Sequence, residues 1–188
     1  MDTIAPSYEG RLVRLGPIDH EKDPSVVAAW TRDPLLRLVL GDVARPLSPE
    51  AVGKLLEKIE KQMEESKNLF HFTLRARADG RLVGVARLHH IEFHNGTGVL
   101  SLGVGDEADR RRGYGSDALH MLLHLAFGEL NLHRVSAWAA EGPLPFYRLF
   151  EKAGFEEEAR RREASFHDGT YWDVIQMGLL RSKWEKSL

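Results

Sequence analysis

The chain has 188 residues, no cysteine, 29% charged residues and a formal net charge of −2. That length suits one domain, here 1–188, and the near-neutral balance excludes a general basic field for nucleic acid or an anionic membrane. Without cysteine there are no disulfides, thiolate metal sites or cysteine nucleophiles, and no apolar run approaches the roughly 18 residues of a membrane span, so the reading is a cytoplasmic protein.

"RLVRL" (11–15) is the first predicted strand, and 24–32 and 49–65 are predicted helices. The second begins with Ser48 as N-cap and Pro49 in its first turn. Phe70 to Ala78 alternates apolar and polar residues, "ADG" (78–80) supplies turn chemistry, and 81–93 resumes as a strand. "NGTG" (95–98) marks a further hairpin leading into the strand 99–105. From Gly113 to Phe127 the apolar residues Ala118, Leu119, Leu122, Leu123 and Ala126 recur at helical spacing. A strand at 133–139, a helix at 143–152 stopped by Gly154, and a closing hairpin of 154–164 with 171–180 complete the order. The result is one mixed α/β domain: an antiparallel meander, a strand–helix–strand–helix passage and a terminal hairpin.

Between the strand ending near Gly105 and the helix beginning near Gly113 lies "ADRRRGYGSDAL" (108–119). A helix start offers amides without intrahelical partners and the positive end of the dipole. Gly113 and Gly115 permit close approach to that backbone, and Arg110, Arg111 and Arg112 add mobile positive charge. A phosphate or pyrophosphate is the expected guest. The competing reading pairs the arginines with Asp106, Glu107 and Asp109 on a solvated loop. The glycine spacing matches neither the nucleotide-kinase loop nor the dinucleotide fingerprint.

Arg110-x-x-Gly113-x-Gly115 resembles the Gln/Arg-x-x-Gly-x-Gly/Ala signature of the GNAT superfamily of acyl-CoA-dependent N-acetyltransferases. "GYGSDALHMLLHLAFGELNLHRV" (113–135), "LFEKAGFEEEARRREA" (149–164), "FHDGTYWDVIQMGLLRSKW" (166–184) and "GRLVRLGPID" with "AAWTRDP" extend the likeness over nearly the whole chain. They resemble the branch that includes ribosomal-protein N-terminal and spermidine acetyltransferases. The resemblance implies a central, mostly antiparallel sheet of about seven strands with flanking helices. It also implies direct transfer of an acetyl group from acetyl-CoA to an amine of a small molecule or a protein N-terminus, and a homodimer as a common assembly. Coenzyme contacts would fall to the backbone of Leu102, Gly103 and Val104, to Arg110, Arg111, Arg112, Gly113, Tyr114, Gly115 and Ser116, and to Phe146.

Three positions depart from the family pattern. Pro143 stands where an asparagine often binds pantetheine, Phe150 where a tyrosine often protonates the leaving thiolate, and Val99 where the branch often has a glutamate. A coenzyme-binding sensor or interaction module without transfer activity is the alternative these changes leave open. Tyr147, one turn before Phe150, is either the substitute acid, with Pro143 and Pro145 altering the helix start to suit it, or a packed aromatic with its hydroxyl at the surface. For a base, "RLHHIEFHN" offers His89, His90, Glu92 and His94. Strict alternation places His90, Glu92 and His94 on one face and His89, Ile91 and Phe93 on the other. At least one of His90 and Glu92 is expected to line the acceptor cleft, the rest being exposed strand residues. His120 and His124 have the spacing of a metal pair but lack a third ligand, so no metal is expected. Trp138, Trp172 and Trp184 read as core or interface residues.

Overall fold

The computed structural model describes residues 8–33, 45–141, 146–167 and 169–187. Its strands β1 (Val13–Gly16), β2 (Phe70–Ala76), β3 (Leu82–Glu92), β4 (Thr97–Val104), β5 (Arg134–Ala140), β6 (Glu156–His167) and β7 (Thr170–Leu180) join into one sheet, ordered β1-β2-β3-β4-β5-β7-β6. Neighbouring strands are antiparallel except β4 and β5, which run parallel. This is the mixed, mostly antiparallel architecture the sequence leads one to expect.

Alternation makes the sheet two-faced. On the first face Leu74, Leu88, Leu100, Val135 and Met177 form a core with Leu119 and Leu122 of α3 (Tyr114–Leu123), Phe150 of α4 (Phe146–Lys152) and Trp184 of α5 (Arg181–Glu185). On the second face Leu82 and Val85 receive Val27 and Trp30 of α1 (Asp23–Trp30) and Val52, Leu56 and Ile59 of α2 (Pro49–Ser66). The Ser48 hydroxyl accepts from the Ala51 amide at 3.3 Å, the N-cap expected for α2. The carboxylate of Asp23, 1% exposed, ties α1 to β2 by accepting from Arg75 at 2.8 Å and 2.9 Å.

Two local readings need correction. The helix expected over 113–127 is α-helical only through Leu123, then widens into a π-helical segment, His124–Glu129, whose end is closed by the Leu130 amide donating to the Leu125 carbonyl. The pitch change turns Leu125, Ala126 and Phe127 all into the core. The second correction concerns β3. Its register with β4 slips between His89 and Glu92, and His90 takes a left-handed backbone with φ 49°. Ile91 therefore joins Leu88 in the first-face core, while His89 lies on the second face with Arg87. The extra residue defeats the alternation read from sequence. No helix among the described residues is long and apolar enough to cross a membrane, and no group of three or more potential ligands among them could hold a metal.

Candidate active site

The parallel pairing of β4 and β5 runs from Thr97↔Arg134 to Leu100↔Ala137 and stops. Both strands continue, β4 to Val104 and β5 to Ala140, so their ends part. The Gly105 amide donates back to Val83 of β3 at 2.9 Å. Alternation then aims the amides of Leu102 and Val104 the other way, into the gap. Phe146, at the start of α4, packs against the cores on both faces of the sheet. Such a residue marks a place where the sheet is open.

The turn from β4 to α3 closes one end of this gap. Gly113 caps α3 with φ 90°, and a Cβ there would meet Leu12 Cδ1 at 2.9 Å, so glycine is required on both counts. The Asp117 amide is the first to find a helical carbonyl, that of Gly113 at 3.0 Å, which leaves the amides of Tyr114, Gly115 and Ser116 for an anion. A Cβ at Gly115 would lie 3.6 Å from Leu102 Cδ1 and from Leu149 Cδ2, directed at the core in ordinary contact.

The three arginines divide. Arg110 turns inward: its Nη2 donates to the Gly105 carbonyl at 2.9 Å and its guanidinium pairs with Asp33 beyond the end of α1. Arg112 approaches Asp109 at 4.0 Å, a buried carboxylate that Arg81 holds with two hydrogen bonds and keeps below the usual carboxylate range. Arg111 is exposed, with a left-handed backbone at φ 63°. The ion-pair reading thus describes Arg110 and Arg112, though Arg110 pairs with a residue far away in sequence. The position of Gly105 is equally constrained, because a Cβ there would sit 2.0 Å from Trp30 Cε2.

The second face beside the gap is polar. His71 of β2, Arg87 and His89 of β3, and Ser101 of β4 share it. The Ser101 hydroxyl lies 3.2 Å from His89 Nε2, and His89 Nδ1 lies 2.6 Å from His90 Nδ1. Burial, and secondarily the neighbouring His90, lowers the His89 pKa to about 4, so the ring is neutral near pH 7. One tautomer satisfies the whole chain: Ser101 O–H donates to His89 Nε2, and His89 Nδ1–H donates to His90. His90 is exposed.

Glu92 is also exposed and accepts from Asn95 Nδ2 at 2.6 Å, within the β3–β4 turn. Tyr147 is partly buried against the first-face core, whereas the ring of Phe150 is 2% exposed and packs on Phe155 at a centroid distance of 5.1 Å. Pro143 and Pro145 lie outside the described residues. His120 and His124 meet at 3.1 Å, with His124 edge-on to Trp184. Trp138 is exposed, Trp172 partly so, and Trp184 is buried. His71, Arg87 and Ser101 were not singled out from the sequence, and His89 was offered there as a base but set on the face opposite His90 and Glu92. The polar alternation of "FHFTLRA" could have revealed the polar face, but the slip at His90 could not be read.

A parted parallel strand pair with free amides, ended by a glycine-capped helix, has the features needed to hold an acyl thioester of coenzyme A. Residues 13–156 match the family described as "Acetyltransferase (GNAT) domain". The SPbeta prophage-derived uncharacterized N-acetyltransferase YokL of Bacillus subtilis is 31% identical over 137 residues, 73% of this chain and 75% of that protein. Spermidine N(1)-acetyltransferase of Vibrio cholerae is 28% identical over 107 residues, 57% of this chain and 61% of that protein. Among solved structures, one described as "Probable acetyltransferase" aligns with a TM-score of 0.80 at 21% identity, covering 96% of this chain and 98% of that one. Spermidine N-acetyltransferase from Vibrio cholerae in complex with CoA and spermine aligns at 0.75 and 19% identity, covering 92% and 98%. The chain belongs to the GNAT acetyltransferase family, and its activity is acyl-CoA-dependent N-acetyl transfer to an amine.

Proposed function

We propose that this chain, as a single domain over 1–188, transfers acetyl from acetyl-CoA directly to the primary amine of a small molecule, with proton removal through Ser101, His89 and His90. The observation that carries this reading is the hydrogen-bonded chain from Ser101 to exposed His90, beginning on β4 just where its pairing with β5 ends. Acetyl-CoA brings the thioester carbonyl. The Leu102 and Val104 amides hold the pantetheine arm and stabilise charge on that oxygen, while Tyr114, Gly115 and Ser116, with Arg111 and Arg112 nearby, receive the pyrophosphate. Arg110 and Gly113 shape the turn, and Gly103 and Phe146 line the gap.

The amine, entering as its free base, bonds through nitrogen to the carbonyl carbon to give a tetrahedral adduct, and the carbon–sulfur bond then breaks with the sulfur leaving as thiolate. A neutral imidazole with a pKa of about 4 is a weak base toward a free ammonium but an adequate acceptor for the far more acidic N–H of the tetrahedral adduct. Ser101 takes that proton while passing its own to His89 Nε2, and His89 Nδ1–H passes on to His90 at the surface. Glu92, close in sequence, supports His90 electrostatically. The thiol has an unperturbed pKa of about 8.5, so the thiolate leaves tolerably without help. Tyr147 is the donor that would speed its protonation.

The exposed Phe166–Tyr171 ring pair, 4.9 Å apart on the terminal hairpin, supports self-association into a homodimer. Thiol release from acetyl-CoA in the presence of polyamines, amino acids, aminoglycosides and short peptides tests the reading. Release that requires an amine supports it. Thermal stabilisation by acetyl-CoA without release by any amine would instead favour a coenzyme-binding sensor.

A further inference from the structure

The polar second face holds a cation that no described residue neutralises. Arg87 lies between His71 and Ser101, its register partners on β2 and β4. Its Nε–H donates to His71 Nδ1 at 2.8 Å, and no carboxylate among the described residues forms an ion pair with it. Arg75, Arg81 and Arg110 each hold one. Because Arg87 occupies Nδ1, the neutral His71 ring carries its hydrogen on Nε2, and that N–H is buried without an acceptor. Burial lowers Arg87 to about 10 and His71, helped by Arg87, to about 3. A partly desolvated guanidinium without a counter-ion and a buried N–H without an acceptor both cost stability in the free protein. An incoming anion would relieve the first of these.

We infer that the amine acceptor itself carries a compact oxyanion, carboxylate or phosphoryl, which binds the free Nη edge of Arg87. The inference rests on the N-acetyltransferase reading and on the use of this face for the acceptor. His71 is a positioning residue: it ties up Nε so that the Nη donors remain for a forked contact. Arg87 is one strand spacing, about 4.8 Å, from Ser101, where the amine proton leaves. Adding the reach of the side chains, amine and anion should be roughly 5–10 Å apart, which suits ω-amino acids of four to six carbons. A diamine of that length would bring a second ammonium against Arg87, which repels it.

The test measures thiol release with length-matched pairs: γ-aminobutyrate against putrescine, and δ-aminovalerate against cadaverine, with O-phosphoethanolamine beside γ-aminobutyrate as the phosphoryl and carboxylate arms. The expected result is a kcat/KM at least tenfold higher for each ω-amino acid than for its diamine. Arg87→Gln should raise KM for the ω-amino acid about tenfold to a hundredfold, leave KM for acetyl-CoA unchanged, and abolish the preference. Arg87→Lys should restore part of it. Equal or better turnover of the diamines, or an unaltered preference in Arg87→Gln, overturns the inference while the acetyltransferase reading stands. Should Arg87→Gln fail to fold, the wild-type pairs still decide. No release in either series while another amine of the wider panel is acetylated overturns the inference alone; no release with any amine of that panel overturns both.

Discussion

His89 stands directly opposite Val99 in the antiparallel register of β3 and β4. The family resemblance leads one to expect a glutamate at Val99, and the residue facing that position is an imidazole on the adjacent strand. That ring continues to Ser101 on the same face at 3.2 Å.

His89→Ala should therefore lower kcat by roughly 10² to 10⁴ with little change in KM for acetyl-CoA. Ser101→Ala should fall in the same direction. His90→Ala should lose less, since its exposed position lets water replace it, and Glu92→Ala less still, because its carboxylate already serves Asn95. Steady-state kinetics on the four variants checks the order. Activity lost equally in His90→Ala and His89→Ala would move the proton acceptor outward.

The two cap glycines should respond differently. Gly113→Ala meets a left-handed backbone and Leu12 at 2.9 Å, and should destabilise by about 1–2 kcal/mol while weakening coenzyme A binding. Gly115→Ala directs its methyl into ordinary contact and should fold as well as wild type; Gly115→Val should press Leu102 and Leu149 apart. Calorimetry with coenzyme A alongside thermal unfolding separates binding from folding.

Among the arginines, Arg110→Ala should cost stability as well as affinity, about 1–3 kcal/mol, because it breaks the links to Asp33 and the Gly105 carbonyl. Arg111→Ala should leave the melting temperature unchanged and reduce coenzyme A affinity alone. Equal thermal losses in both would contradict this division.

Asp117 joins the helix to the first strand: its carboxylate accepts from the amides of Arg11, Leu12 and Val13 at 3.0, 2.7 and 2.9 Å. Asp117→Ala leaves those amides without their acceptor and should destabilise by roughly 2–4 kcal/mol. Hydrogen exchange should speed up at β1 more than at β5. Uniform acceleration would show a global effect instead.

Burial holds His71 near 3 and His89 near 4, both below the unfolded 6.5. Each ring binds protons more weakly in the folded protein, so its contribution is complete above the unfolded value. It is lost as pH falls from about 6.5 through the folded values. Urea midpoints should be steady between pH 7 and 8 and decline from pH 6 toward 4. For His71 the limiting slope is roughly 1.4 kcal/mol per pH unit. His71→Gln, which can still accept from Arg87, should flatten that decline.

Local signals carried most of the fold. Alternation in "FHFTLRA", the Ser48–Pro49 helix start and the glycines at 113 and 154 each act within a few residues, so strand and helix order were legible. The glycine-capped helix start was legible for the same reason, since its unsatisfied amides belong to the cap itself. The polar second face was not. A single extra residue at His90 reverses which side chains follow it, and nothing local announces such a slip. Arg110 meeting Asp33, Arg87 meeting His71, and His89 meeting Ser101 and Val99 are contacts across strands or between distant segments. Only the assembled sheet brings those segments together, because register and burial are settled by the packing of the whole chain rather than by its neighbours in sequence.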